Sequence, residues 1–242
     1  MDLIMRQVPT YLIIGNGRVA RHMCRYFESL DIPYTQWHRQ MPQSALAPLA
    51  AQASHILLLI RDDAIESFAA THLAAADALK IHFSGALHAA GIYGAHPLMT
   101  FGAELYAPEK YRDIHFIIDA DAPDFADLLP GLPNAHARLD PAQKAKYHAL
   151  CVMAGNFSCL LWQKLFDTLQ SEFDIPAAAA RPYLSQQTEN LLADYAAALT
   201  GPLARGDAAT IARNLAALKG DEFQPVYQAF VTAYTGKQEK AS

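Results

Sequence analysis

The chain has 242 residues, 52% hydrophobic and 18% charged, which allows one large domain or two modest ones and argues against disorder. A net charge of −5 offers no basic face for nucleic acid. Cys24, Cys151 and Cys159 form no CxxC pair, and Asp2 with a single early Arg6 makes no signal-peptide pattern, so a reduced, cytoplasmic setting is the expectation.

An apolar β run over about 10–14 leads into Gly15-Asn16-Gly17-Arg18-Val19-Ala20, and a helix over 18–30 follows. Gly15 suits the tight strand-to-helix turn, Gly17 clears the backbone's approach to a pyrophosphate, and Ala20 lets helix and strand pack closely. The first helical N–H groups then face an anion. A second strand over about 32–37 completes a β-α-β unit. At its end, where NAD-specific proteins place Asp or Glu, stands Trp37-His38-Arg39. With no carboxylate there, Arg39 would favour a 2′-phosphate and hence NADP over NAD; alternatively it is a solvated loop residue.

A helix is expected over 41–54, then a buried strand over His55–Ile60, whose apolar run is too short to span a bilayer. Asp62 or Asp63 is the expected N-cap of a helix towards Ala76. Strands follow at Leu79–Phe83, around Gly94–Leu98 and at His115–Ile118. Alternating strands and helices indicate an open, mostly parallel α/β sheet. Pro130–Asn134 reads as a turn-rich boundary, with no strand expected after about Leu139. Helices are expected over Pro141–Phe166, 177–199, 208–218 (capped by Asp207) and 222–235, with a frayed tail over Lys237–Ser242. The expected domains are thus 1–138, a Rossmann-type parallel sheet, and 139–242, all-helical.

Several segments carry a resemblance: His82-Phe83-Ser84-Gly85, His96-Pro97-Leu98-Met99-Thr100-Phe101, Tyr147-His148-Ala149, Gly155-Asn156-Phe157 and Thr200-Gly201-Pro202-Leu203-Ala204-Arg205-Gly206-Asp207. On them the chain resembles the NADP-dependent β-hydroxyacid dehydrogenase group, which includes 6-phosphogluconate and 3-hydroxyisobutyrate dehydrogenases, pyrroline-carboxylate reductase and prephenate dehydrogenase. More closely, it resembles a bacterial family of Rossmann-like proteins whose helical half is a domain of unknown function. The resemblance implies a helical half like the C-terminal domain of 6-phosphogluconate dehydrogenase, NADP(H) as cofactor, and a homodimer formed through that half. One departure stands out. The group carries Lys-x-x-x-Asn on the first long helix, with Lys as acid/base, whereas Lys144 is followed four residues on by His148, and Asn156 comes eight further.

These readings lead to an NADP-dependent oxidoreductase acting on a small, anionic molecule bound between the domains, or alternatively a non-catalytic NADP(H) sensor or scaffold. A methyltransferase with the same turn fits the helical half poorly. Cofactor contacts are assigned to Gly15, Asn16, Gly17, Arg18, Val19, His38, Arg39, Arg61, Ser84 and Gly85. Catalysis is assigned to His96, which sits in a Gly-x-His-Pro segment similar to that of prephenate dehydrogenases, with Ser84 orienting the substrate and Asn156 as a further donor. His148 is the other proton carrier, or else a packed core histidine. Arg205 would hold the substrate's anion, with Thr200 beside it and Asp207 fixing the loop; alternatively, both charges hold the kink. No metal or membrane partner is assigned.

Overall fold

The computed structural model describes residues 9–241, with side chains to residue 238. The inferences drawn from Asp2 and Arg6 therefore fall outside the described residues. The chain divides into two compact units, residues 1–160 and 161–242. The division lies beyond the expected 138, inside a helix, and its physical reason is in the first unit's packing.

That unit is built on a seven-stranded sheet ordered β2-β1-β3-β4-β5-β6-β7. The strands are β1 (Tyr11–Ile14), β2 (Tyr34–Trp37), β3 (His55–Leu58), β4 (Leu79–His82), β5 (Tyr93–Pro97), β6 (Phe116–Asp119) and β7 (His136–Leu139). The first five are mutually parallel, while β6 runs antiparallel to β5 and β7 parallel to β6. All four residues of β1 are buried, Tyr11 and Ile13 in one core and Leu12 and Ile14 in the other, because successive side chains leave opposite faces of a strand covered on both sides. On the first face α1 (Arg18–Ser29) contributes Met23, Tyr26 and Phe27. On the second, α2 (Leu46–Gln52) and α3 (Asp62–His72) contribute Leu46, Ala50, Ile65 and Ala69.

β7 was not foreseen. It pairs along its whole length with β6, although three of its four side chains are exposed. Pro130–Asn134 is tied into the core rather than marking a domain boundary. Tyr11 Oη donates to Pro130 O at 2.8 Å, Tyr26 Oη donates to Asn134 Oδ1 at 2.7 Å, and Asn134 Nδ2 donates to Tyr111 O at 2.8 Å. Two short helices, α4 (Pro108–Arg112) and α5 (Phe125–Leu128), complete this side.

Residues Pro141–Ser171 form one helical stretch of 31 residues. It comprises a 3-10 turn, α6 (Lys144–Val152), a π turn over Met153–Phe157 and α7 (Ser158–Ser171). By length and composition alone it could cross a membrane. Its first turns nevertheless send Lys144, 4% exposed, into the first unit. Leu150, Met153, Phe157 and Leu160 are exposed apolar residues along this stretch, on both sides of and within the π turn.

The second unit holds α8 (Arg181–Ala193), α9 (Pro202–Arg205), α10 (Ala208–Ala217) and α11 (Gln224–Ala241). α8 ends at Ala193, earlier than expected. Pro202 does not interrupt a helix but opens the one-turn α9, where its missing N–H costs nothing. Asp207 caps α10 as expected, accepting from Thr210 N at 2.9 Å. α11 runs through the Lys237–Ala241 segment that was expected to fray. Within the unit, Lys164 and Asp221 pair at 2.7 Å.

Candidate nucleotide cleft and histidine cluster

In the order β2-β1-β3 the chain turns from one side of β1 to the other, which makes a switch point at the carboxyl ends of β1 and β3. A cleft of about 880 Å³ lies there, lined by residues 14–19, 37–40, 58–62, 64, 68, 83 and 84. Gly15 makes the turn possible. Its φ is +132°, and an added Cβ would run into the Leu59 carbonyl, so only glycine fits where the two loops cross. Beside it the chain is pinned by Gly15 N donating to Trp37 O at 2.9 Å and Leu59 N donating to Ile14 O at 2.8 Å. Gly17, by contrast, has nothing within 4 Å of an added Cβ. It is the N-cap of α1, no side chain caps that helix, and no acidic residue stands in its first turn. The helix's first N–H groups are thus left for an external acceptor.

At the end of β2, Arg39 is exposed on the cleft wall, and His38 Nδ1 is buried without a hydrogen-bond partner. Arg61 also lines the cleft, but its guanidinium forks Asp63, with NH2 to Oδ2 at 2.6 Å. Neither Asp62 nor Asp63 caps α3; Arg61 is the N-cap residue, and both carboxylates sit in the first turn, where the helix dipole favours them. Asp62 Oδ2 instead accepts from Ser84 Oγ at 2.5 Å. Ser84 Oγ also accepts from Ala86 N and Leu87 N at 3.3 and 3.0 Å. One donor and two acceptor sites exhaust a hydroxyl, so Ser84 locks the loop after β4 to α3 and has no capacity left to orient a substrate.

Just beyond Ser84 a cluster of histidines gathers. His96, on β5, has Nδ1 2.8 Å from Tyr147 Oη. Its ring and that of His148 stand nearly perpendicular with centroids 5.8 Å apart. His148 Nδ1 is buried and has no hydrogen-bond partner among the described residues. Burial, reinforced by a charge on His148 and by Lys144, pushes His96 down to about 4. Burial together with Lys144 does the same to His82, also to about 4. Ser84 N donates to His82 Nδ1, so the neutral ring carries its proton on Nε2, which is buried and unpaired. Burial, with a hydrogen bond to Cys151, pushes the Tyr147 phenol upward, so it keeps its proton.

Lys144 is bound to Asp119 at 2.5 Å, and Asp119 Oδ2 accepts from Gly94 N at 2.6 Å. His88 Nδ1 lies 3.8 Å from that carboxylate and, with Asp121, forms a trio of ligand-type atoms. Both Asp119 oxygens are already bonded, so the trio makes no metal argument. Of the remaining expected residues, Asn156 is exposed in the π turn, a feature that recurs at functional sites and shifts the helix phase away from simple spacing. Thr200 and Arg205 are exposed in the second unit, and Asp207 is the α10 cap. Sequence reasoning missed Tyr147, Asp119, Asp62 and His82.

A mostly parallel sheet with a glycine turn at its switch point, in a chain that also holds a helical unit, defines a Rossmann-type fold. A family model described as a domain of unknown function, DUF2520, matches residues 114–234, half of the chain, and the chain belongs to that family. No curated protein matches it. Among solved structures it is similar to a candidate NADP oxidoreductase from Bacteroides fragilis, with 19% identity and a TM-score of 0.75 over 93% of this chain and 97% of that one. A Thermotoga maritima protein shares 22% identity with a TM-score of 0.64, covering 96% of this chain and 99% of that chain. A reductive aminase from Aspergillus terreus, in complex with NADPH and ethyl levulinate, shares 13% with a TM-score of 0.64 over 96% and 95%. At these identities the likeness is one of fold.

Proposed function

We propose that the protein is an NADP(H)-dependent oxidoreductase acting on a small anionic molecule. The observation that carries this reading is the uncapped start of α1 beside a β2 end that has no carboxylate and presents Arg39 to the same cleft. These residues fit the cofactor: the α1 N–H groups suit the pyrophosphate, Gly17 leaves room for it, and Arg39 with His38 suits a 2′-phosphate. Asn16, Arg18 and Val19 line that part of the cleft. When bound, the nicotinamide supplies or accepts the hydride. The chain's own part is to orient the substrate and to move the proton at its oxygen, which the His96–His148 pair does beside Ser84 and Gly85. Asn156, exposed in the π turn, is a further donor. The exposed apolar residues Leu150, Met153, Phe157 and Leu160 support a homodimer through the helices, read by sedimentation equilibrium.

The test is calorimetry. NADPH binds more tightly than NADH, and Arg39→Asp reverses the order by repelling the 2′-phosphate; equal affinities in the unmodified protein remove the basis of the reading. One observation favours a second reading, a nucleotide sensor without turnover: Lys144 is locked in a buried ion pair and is not free for acid/base work. Tight NADPH binding with no oxidation by any carbonyl or imine in a broad panel selects the sensor.

A further inference from the structure

The helical unit, residues 161–242, has almost no core of its own. Among its described residues Ala180 alone is buried, whereas every other buried apolar side chain lies in the first unit. α8 shows the shortfall most plainly: all of its 13 residues except Leu184 are exposed. A helix of that length is marginal in water by itself and takes its stability from an apolar face packed on something. The contacts inside the unit are thin. Trp162 meets Tyr183 edge to face with ring centroids 5.4 Å apart, Lys164 pairs with Asp221, and Asn214 Nδ2 donates to Tyr227 Oη at 3.0 Å.

The side chains that would make a core stand outside instead. Ten large apolar residues of this unit are exposed, among them Phe173, Tyr183, Leu191, Leu192, Tyr195 and Phe230. Together they present roughly 1,000 Å² per copy, against about 800 Å² per partner in a standard interface. The same apolar character runs back along the 31-residue helical stretch through Leu150, Met153, Phe157 and Leu160. A bilayer is a poor cover for this surface. Residues 161–242 carry seven Lys and Arg against nine Asp and Glu, so nothing draws them to anionic lipid. The polar run Ser185–Asn190 also interrupts the apolar residues of α8, and hydrocarbon would leave its amides unsatisfied. A different protein would have to be present in equal amount whenever this chain is made, because helices without a core do not persist until a partner arrives. A second copy meets that condition by construction. Arg181 and Glu189 are the only charges on α8, so two copies can meet there without crowding like charges.

We propose that the helical unit is half of a core: α7 to α11 of two copies fold together into one body, and association and folding of this unit are a single step. The proposal rests on the homodimer of the reading above and takes nothing from its cofactor. It goes beyond a pair of ready-folded chains, because the helical unit is not stable in a single copy and its stability therefore depends on protein concentration.

Far-UV ellipticity and sedimenting mass, followed together on the full chain over about a thousandfold dilution, test this. Helical signal falls as the mass halves, and the urea midpoint drops with each tenfold dilution. A double variant, Leu192→Lys with Tyr195→Lys, supplies a second arm. These side chains are 83% and 84% exposed in the single chain, where a lysine changes little. In the pair they are covered, so the variant associates more than about tenfold more weakly and loses helical signal at concentrations where the unmodified protein keeps it. A monomer with full helical signal at every concentration removes the homodimer itself and the proposal with it. A dimer that dissociates with its helical signal intact leaves the homodimer standing and overturns the coupled folding. So does a double variant that associates and unfolds like the unmodified protein, and a pair too tight to dilute apart is judged on that variant. A monomer that floats with vesicles of neutral lipid gives the surface to a bilayer and overturns the proposal as well.

Discussion

Lys144→Met separates a structural lysine from a catalytic one. The side chains of Lys144 and Asp119 are 5% and 2% exposed and are joined at 2.5 Å. Methionine keeps most of the aliphatic stem and deletes the charge, leaving the Asp119 carboxylate with the Gly94 N–H at 2.6 Å and His88 at 3.8 Å. Removing one partner of a buried pair strands the other charge, at a cost of about 3–5 kcal/mol. At roughly 2–4 °C per kcal/mol for a chain of this size, melting falls by about 6–20 °C. Asp119→Asn alone strands the ammonium and costs a similar amount. The double variant carries no stranded charge, and its Asn carbonyl can still accept from Gly94 N. It is therefore less destabilised than the sum of the singles, by a coupling of about 0.5–3 kcal/mol. Urea unfolding of the four proteins without nucleotide reads the cycle. A Lys144→Met cost below about 1 kcal/mol, or strictly additive singles, refutes the claim that this pair anchors α6 to the sheet.

Two further outcomes follow from the site. His82 and His96 are both held at about 4 when folded, against an ordinary value of about 6.5 in the unfolded chain. The unfolded chain binds more protons between those values, so the stability these rings contribute is complete above about 6.5 and is lost as pH falls to about 4. Urea unfolding across that range shows a slope that His96→Asn reduces, and a flat profile in the unmodified protein contradicts the shifts. Gly15→Ala puts a Cβ into the Leu59 carbonyl at a φ of +132°, which costs about 1–3 kcal/mol and moves the α1 start. NADPH affinity falls with it, and unchanged affinity in calorimetry shows that the turn does not cradle the nucleotide.

The first six strands and the glycine turn were legible because their signals are local. A four-residue apolar strand buried on both faces, a glycine forced to positive φ and a helix that starts without a cap all follow from adjacent residues. What the sequence hid depends on distant partners. β7 has three exposed side chains of four and so no inward pattern; it is a strand because β6 offers it a free edge. Pro130–Asn134 has the composition of a linker, yet Asn134 is 5% exposed and bridges Tyr26 to Tyr111, which carries the first unit past the expected boundary.

The site divides along the same line. Ser84 was expected to face a substrate because it follows a strand end, and position alone cannot reveal that Asp62, Ala86 and Leu87 exhaust its hydroxyl. Asp62 or Asp63 was expected as a helix cap, but α3 already begins at Asp62, with Arg61 in the cap position. The histidine cluster, in contrast, left a signal that was available. Lys144, Tyr147, His148 and Cys151 recur at i, i+3, i+4 and i+7, the spacing of one helix face. Asn156, eight residues beyond His148, lies within the π turn at Met153–Phe157, where α-helical spacing no longer relates the two. The nearer polar face, not the longer one, points at β5 and β6: its lysine reaches Asp119, its tyrosine reaches His96, and its histidine carries one of the three buried ring nitrogens that have no hydrogen-bond partner among the described residues.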